Sequence, residues 1–182
     1  MSMTPQAKHE VRHMVYAALC LALALVLPLV TGQIPTVGKM LLPMHLPVLL
    51  AGFVVGPWWA MAVGFIAPLL RAVIFGKPVI MPTALGMAFE LAAYGFFSGF
   101  LYKLLPKKTV FFYISLILSM ILGRIIWGVS RVLLAGIEGG TFTYKAFIAG
   151  AFTQAIPGII LQLVLVPLLL MALRRAKLLL ND

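Results

Sequence analysis

With 182 residues, of which 63% are hydrophobic and 10% charged, the chain is too apolar for a water-soluble globule, which keeps about a quarter of its residues charged. Its formal net charge of +10 would suit nucleic acid if the 14 Lys and Arg formed one face or tail, but they are scattered between apolar blocks, which excludes that partner. A lipid bilayer fits: at about 20 apolar residues per helical crossing, the length allows roughly six spans with short loops in a single domain, 1–182, and no soluble domain.

The N-terminal run MSMTPQAKHEVRHMVYAALCLALALVLP has the basic start of a signal peptide. Its apolar stretch is long, and no small-x-small cleavage site precedes a soluble mature region, so the sequence predicts a retained first helix over 12–31. Within it Cys20, the one cysteine, has no second thiol for a disulfide or a metal site. Ala18 and Ala22 stand four residues apart, a spacing that lets helices approach closely in lipid. The second segment, 43–56, is short. It carries His45 between Pro43 and Pro47 and ends at Gly56-Pro57, where proline stops one helix and suits the first turn of the next. Pro43 and Pro47 fall within the first turn or so, where the N–H groups have no helical partner to lose, and the shortness reads as a helix that starts below the membrane surface and leaves room for a ligand. Further spans are expected over 58–75, 82–104, 109–136 and 145–174. Gly52 and Gly56, Ala88 and Ala92, and Gly95 and Gly99 repeat the small-residue spacing.

An even number of spans puts both termini on one side. That side carries Lys8, Arg12, Lys103, Lys107, Lys108, Arg174, Arg175 and Lys177, against Lys39, Lys77 and Lys145 on the other. The excess of cations makes it the cytoplasmic side.

Four charged residues fall inside the spans, where each costs several kcal/mol unless paired or wetted and so marks a candidate site. The depths converge. His45 stands at the outer start of span 2, Arg71 near the outer end of span 3 and Glu90 about 12 Å into span 4. Arg131 is in the outer half of span 5, Arg124 near its middle, and Gln154 in the outer part of span 6. Arg124, Trp127, Gly128 and Arg131 recur at spacings of three and four and so share a helical face, as do Met87, Glu90 and Tyr94. His45, Arg71, Glu90, Tyr94, Arg124, Trp127, Arg131 and Gln154 therefore form the candidate substrate-binding set. Three Arg against one Glu leave positive charge that an anionic ligand would offset. Structural roles compete: Arg71 and Arg131 could snorkel to headgroups, Glu90 could only pair with Arg124 or Arg71, His45 could cap its own helix, and Trp58 and Trp59 suit interface anchors. The sequence shows no catalytic, metal-binding or cofactor motif. GQIPTVGKM lacks the spacing and hydroxyl of a phosphate-binding loop, and there is no HExxH, carboxylate pair or serine elbow. The chain reads as a non-enzyme with no cofactor, taking its energy from another subunit.

The segment LPMHLPVLLAGFVVGPWWAMAVGFIAPLLR followed by MPTALGMAFELAAYGFFSGFLYKLL resembles the substrate-binding S component of energy-coupling factor (ECF-type) vitamin transporters. Six spans in under 200 residues, cytoplasmic termini, the run PVLLAG-x3-GP and the Ala18/Ala22 pair all fit. The resemblance implies an all-α compact six-helix membrane bundle that captures a vitamin or related micronutrient in an outward-facing pocket. It implies docking through Ala18 and Ala22 onto a coupling transmembrane subunit, with two cytoplasmic ATPase subunits driving the S component to topple and release its cargo inside a bacterial or archaeal cell. Loops Gly32 to Lys39 and Gly76 to Pro82 would be gate elements. Pocket residues differ between members, so the candidate set rests on this sequence alone. Its cationic balance favours a carboxylate or phosphate ligand, pantothenate or a folate-like molecule before cationic thiamine. Two rival classes remain open to the sequence: a structural or assembly membrane protein whose buried charges only pair helices, and a self-sufficient small transporter or channel.

Overall fold

A computed structural model describes residues 4–31 and 40–180, and, of these, all but the side chains of Pro5 and Phe152. The expected gate segment Gly32 to Lys39 lies outside the described residues. Among those described, every regular element is helical. They are α1 (Pro5–Thr31), α2 (His45–Val55), α3 (Pro57–Phe75), α4 (Leu85–Leu104), α5 (Thr109–Ile137), the short α6 (Tyr144–Ile148) and α7 (Ile156–Arg175). Five stretches are long and apolar enough to cross a membrane, and α2 is a shorter apolar helix.

Burial follows sequence position. On α1 the residues His13, Ala17, Cys20, Ala24 and Pro28 form one buried stripe, at the spacing of a single helical face, and it packs on α2 and α3. The opposite face exposes Val15, Leu19, Val26 and Val30, as lipid contact requires. α2 buries ten of its eleven residues. A helix apolar on all sides belongs at the centre of a bundle, and α2 is enclosed by α1, α3, α4 and α7.

Small residues set the distances between helices. A Cβ on Gly95 would strike the Ala60 carbonyl of α3, and one on Gly64 the Leu91 carbonyl of α4; on Gly99 it would stand 2.6 Å from the Pro57 nitrogen. α4 is thus in backbone contact with α3 and with the α2–α3 turn. That turn consists of Gly56, whose φ of 91° suits a residue without a Cβ, followed by Pro57 in the first turn of α3.

Three contacts fix the topology at one end. His13 Nδ1 donates to the Val55 carbonyl at 3.0 Å, the Leu180 amide donates to Val54 at 2.9 Å, and Arg174 Nη1 donates to the Lys107 carbonyl at 3.4 Å. The start of α1, the end of α2, the α4–α5 turn and the C-terminal tail therefore share one face. Its cations make that face cytoplasmic. His13 and the Leu180 amide thereby satisfy the Val55 and Val54 carbonyls, left without helical donors where α2 stops at Gly56.

The helices differ from the expected spans in three places. α1 begins at Pro5, seven residues before the apolar run. At about 1.5 Å per residue, the eleven residues of α2 rise about 16 Å, half of a hydrocarbon core of roughly 30 Å, so α2 starts at mid-depth. Span 6 is broken: α6 runs into a widened turn at Ala149–Thr153, and α7 begins afresh at Ile156 with proline in its first turn. Pro157 has no N–H to offer the preceding turn, which ends one helix and suits the start of another. A similar widened turn, Ile80–Ala84, with Met81 extended (φ −106°, ψ 137°), leads into α4.

Candidate substrate-binding site

Four of the predicted residues meet around one carboxylate. Arg124 Nη1 of α5 lies 2.8 Å from Glu90 Oε1, the Tyr94 hydroxyl donates to the same oxygen at 3.1 Å, and His45 Nε2 approaches it at 3.4 Å. Glu90 and Tyr94 are one turn apart on α4, Arg124 is at the middle of α5, and His45 is the first residue of α2. All four are buried. The Tyr94 ring lies flat enough on α5 that a Cβ on Gly123 would collide with it, so Gly123 gives the phenol its path to Glu90. The His45 and Tyr94 rings are tilted at 57° with centroids 5.3 Å apart.

Of the two partners open to Glu90, the fold selects Arg124. Arg71 is half-buried, donates from Nη1 to the Leu25 carbonyl of α1 at 3.0 Å and lies over the Phe75 ring at 5.3 Å. It is not brought into the cluster. Gln154 is exposed in the break before α7 and is likewise apart.

Further outward, Arg131 rests its Cδ against Gly86 and sets its guanidinium 5.4 Å from the Phe142 ring. Trp127 stacks on Phe147, centroids 6.1 Å apart at 29°, and meets Phe142 edge-on at 5.7 Å. Gly128 shares the face of Arg124 and Arg131, but Phe147 occupies the space beside it, 2.5 Å from where a Cβ would be. A groove of about 550 Å³ between α5 and α6 is lined by Ile125, Val129, Val132, Phe142 and Phe147 among others. Its α5 side chains are largely lipid-facing, so it is distinct from the polar cluster.

Glu90 and Arg124 together are neutral, and Arg131 adds a cation that is not set against Glu90. Several buried side-chain nitrogens lack hydrogen-bond partners: His45 Nδ1, Arg124 Nε, Arg131 Nε and Nη1 and, on α7, Gln162 Nε2, while His45 Nε2 has only its 3.4 Å approach to Glu90. An unsatisfied buried donor costs about 1–3 kcal/mol. The arginine and amide nitrogens can only donate, so what they lack is an acceptor. Gln162 was not among the predicted residues. It is 1% exposed on α7, one turn inward of Gly158, against which Met40 to Leu42 pack just before His45. A lone amide in the apolar run IILQLVLVP was signal enough for it.

A profile of the family described as ECF transporter, substrate-specific component, matches residues 12–170. The chain belongs to this family. The match runs from within α1 to Leu170 in α7 and so takes in every element described. No curated protein and no solved structure matches the chain. As an S component it is a substrate-binding subunit of an ECF transporter rather than a catalyst, a multi-pass protein of a prokaryotic plasma membrane. Membership implies a small-molecule substrate, a coupling membrane subunit and ATPases as partners. The reading of the chain as a purely structural membrane protein gives way to this one.

Proposed function

We propose that this S component captures a vitamin or related micronutrient with an anionic, acceptor-rich group, in an outward-facing site above the start of α2. His45, Glu90, Tyr94, Arg124, Trp127 and Arg131 are its proposed contacts, joined by Gln162. The observation that carries the reading is the set of buried donors without acceptors: Arg124 Nε, beside the Glu90 pair, Arg131 Nε and Nη1 two turns outward on the same face of α5, and the Gln162 amide of α7. A carboxylate would accept from Arg124 Nε, from Arg131 and from the Gln162 amide at once, and it would offset the extra cation. Glu90 would hold Arg124 in place, and the Trp127 and Phe142 rings would flank a flat portion of the ligand. This favours a carboxylate such as pantothenate or a folate-like compound over cationic thiamine. Arg71, bonded to α1, and Gln154, on the surface, are outside this proposal.

Mass spectrometry of the small molecule that co-purifies with the protein identifies the ligand. With that compound, Gln162→Leu and Arg131→Leu should each weaken binding at least about tenfold, or 1.4 kcal/mol, with little change in melting temperature, because Gln162 Nε2 and Arg131 Nε and Nη1 have no hydrogen-bond acceptor in the protein to lose. Wild-type affinity in both would remove these residues from the site.

For docking, Ala18 and Ala22 are both exposed on the lipid-facing side of α1, where small residues admit a second helix. Delivery into the cell would follow docking there on the coupling subunit, driven by two cytoplasmic ATPases. Ala18→Trp should abolish uptake by the assembled transporter while ligand affinity of the isolated S component stays unchanged. Normal uptake would place the interface elsewhere.

A further inference from the structure

The first turns of α1 carry a feature that neither substrate binding nor docking uses. Residues 9–13 read HEVRH, an HExxH run where none was expected, and the expected absence of a metal-binding motif is corrected here. In such a run two histidines four residues apart share one helical face and reach a single divalent ion. Because α1 begins at Pro5, ahead of the apolar run, His9 and His13 both stand on it at the cytoplasmic face.

The two rings are placed for chelation. Their Nε2 atoms are 3.4 Å apart, with ring centroids at 4.5 Å and planes tilted by 51°. Two imidazole nitrogens, each about 2.0–2.1 Å from a tetrahedral zinc ion, are about 3.3–3.4 Å from one another. An ion therefore bridges the two nitrogens at the separation they already have. As a hydrogen bond the same separation is long, since N–H donors prefer about 2.7–3.2 Å. The tautomer agrees: His13 Nδ1 donates to the Val55 carbonyl at 3.0 Å, which leaves the lone pair on Nε2. Metal-bound histidines almost always donate their second ring nitrogen in this way, which fixes the ring and makes it a better ligand. His13 is buried and His9 is exposed, so the pair is held by α2 on one side and open to the cytoplasm on the other.

We infer that His9 and His13 chelate a divalent transition-metal ion of the zinc class through both Nε2 atoms. Imidazole suits Zn²⁺, Cu²⁺ and Ni²⁺, whereas Mg²⁺ and Ca²⁺ take oxygen ligands. Among the described residues no third His, Cys, Asp or Glu joins the pair. Water completes the coordination, and the three-ligand centre of a zinc hydrolase is not assembled. Lys8 and Arg12 oppose a cation here and Glu10 offsets only one of them, so direct ligation holds the ion and the surrounding field does not. Once bound, the ion clamps a turn of α1 and, through His13, its contact with the end of α2.

The test uses the full-length protein in mild detergent, carrying no polyhistidine tag, titrated with zinc chloride and, for its visible absorption, cobalt chloride. The wild type should bind one Zn²⁺ per chain, give the spectrum of nitrogen-ligated Co²⁺ and melt higher with Zn²⁺ but not with equal Mg²⁺. His9→Gln, at an exposed position, should melt as the wild type does without metal, lose the zinc-dependent rise and bind at least about tenfold more weakly, the least that loss of a supporting hydrogen bond costs at such sites. His13→Gln should lose zinc to the same extent and also melt lower without metal, having given up the Val55 contact. Glu10→Gln should bind zinc as the wild type does, because the carboxylate of an HExxH run serves the metal-bound water and not the ion. Unchanged zinc affinity in His9→Gln would overturn the assignment. An equal rise with Mg²⁺ would reduce the effect to ionic strength, and a zinc response lost in Glu10→Gln but kept in His9→Gln would give the ion to a carboxylate instead.

Discussion

Replacing Glu90 with leucine should destabilise the protein by about 3–5 kcal/mol, the usual cost of leaving one member of a buried ion pair without the other. Glu90 is 2% exposed and its Oε1 takes contacts from Arg124, Tyr94 and His45, so the substitution strands a guanidinium at mid-depth, where no water compensates it. The double variant Glu90→Leu/Arg124→Leu should regain most of that loss, because a buried pair exchanged for apolar side chains of similar volume is often neutral or better. It should still fail to bind substrate, having lost the central donor. Melting in one detergent and ligand titration read the two effects separately. A double variant as unstable as the single one would mean that the cluster is held by more than its charge balance. A double variant that binds normally would make the pair purely structural.

A comparably large loss is expected from one added carbon on α4. A Cβ at Gly95 would collide with the Ala60 carbonyl, and the obstruction is backbone, which cannot rotate away as a side chain can. Gly95→Ala must therefore push α3 and α4 apart. Over-packing typically costs about 1–3 kcal/mol, and Gly95→Val should exceed that and reduce the yield of folded protein. Gly136 supplies the control. It lies in the last turn of α5 with nothing within 4 Å of its would-be Cβ, so Gly136→Ala should be neutral or stabilising by up to about 1 kcal/mol. If the two alanine variants melted alike, close backbone contact would not be what holds α3 to α4.

Much of this was open to sequence reasoning because lipid makes the rules strict. Composition, proline and glycine punctuation and cation asymmetry were sufficient for the helices and for the shared side of the termini. Helical spacing put Glu90 with Tyr94 and Arg124 with Arg131. Spacing gives a face, however, and not the neighbour that the face meets. Whether Glu90 would pair with Arg124 or Arg71 depended on how α3 and α5 are rotated against α4, which Gly64, Gly95 and Gly123 decide through contacts between distant parts of the chain. Gln154 was placed inside a continuous span and emerged in a break. Gln162, eight residues on, is the amide that the bundle buries. The difference traces to Pro157, whose role as a helix start rather than a tolerated kink was set by how Gly158 receives the Met40 to Leu42 segment.

The half-length of α2 has an electrical consequence. His45 opens that helix roughly midway through the hydrocarbon layer, so a charged group held beside it would already have traversed about half of the potential drop across the membrane. A full elementary charge moved through 100 mV is worth about 2.3 kcal/mol, and half the path brings about half of that. With the cell interior negative, an anion bound at this depth would be held less firmly in an energised membrane than in a depolarised one.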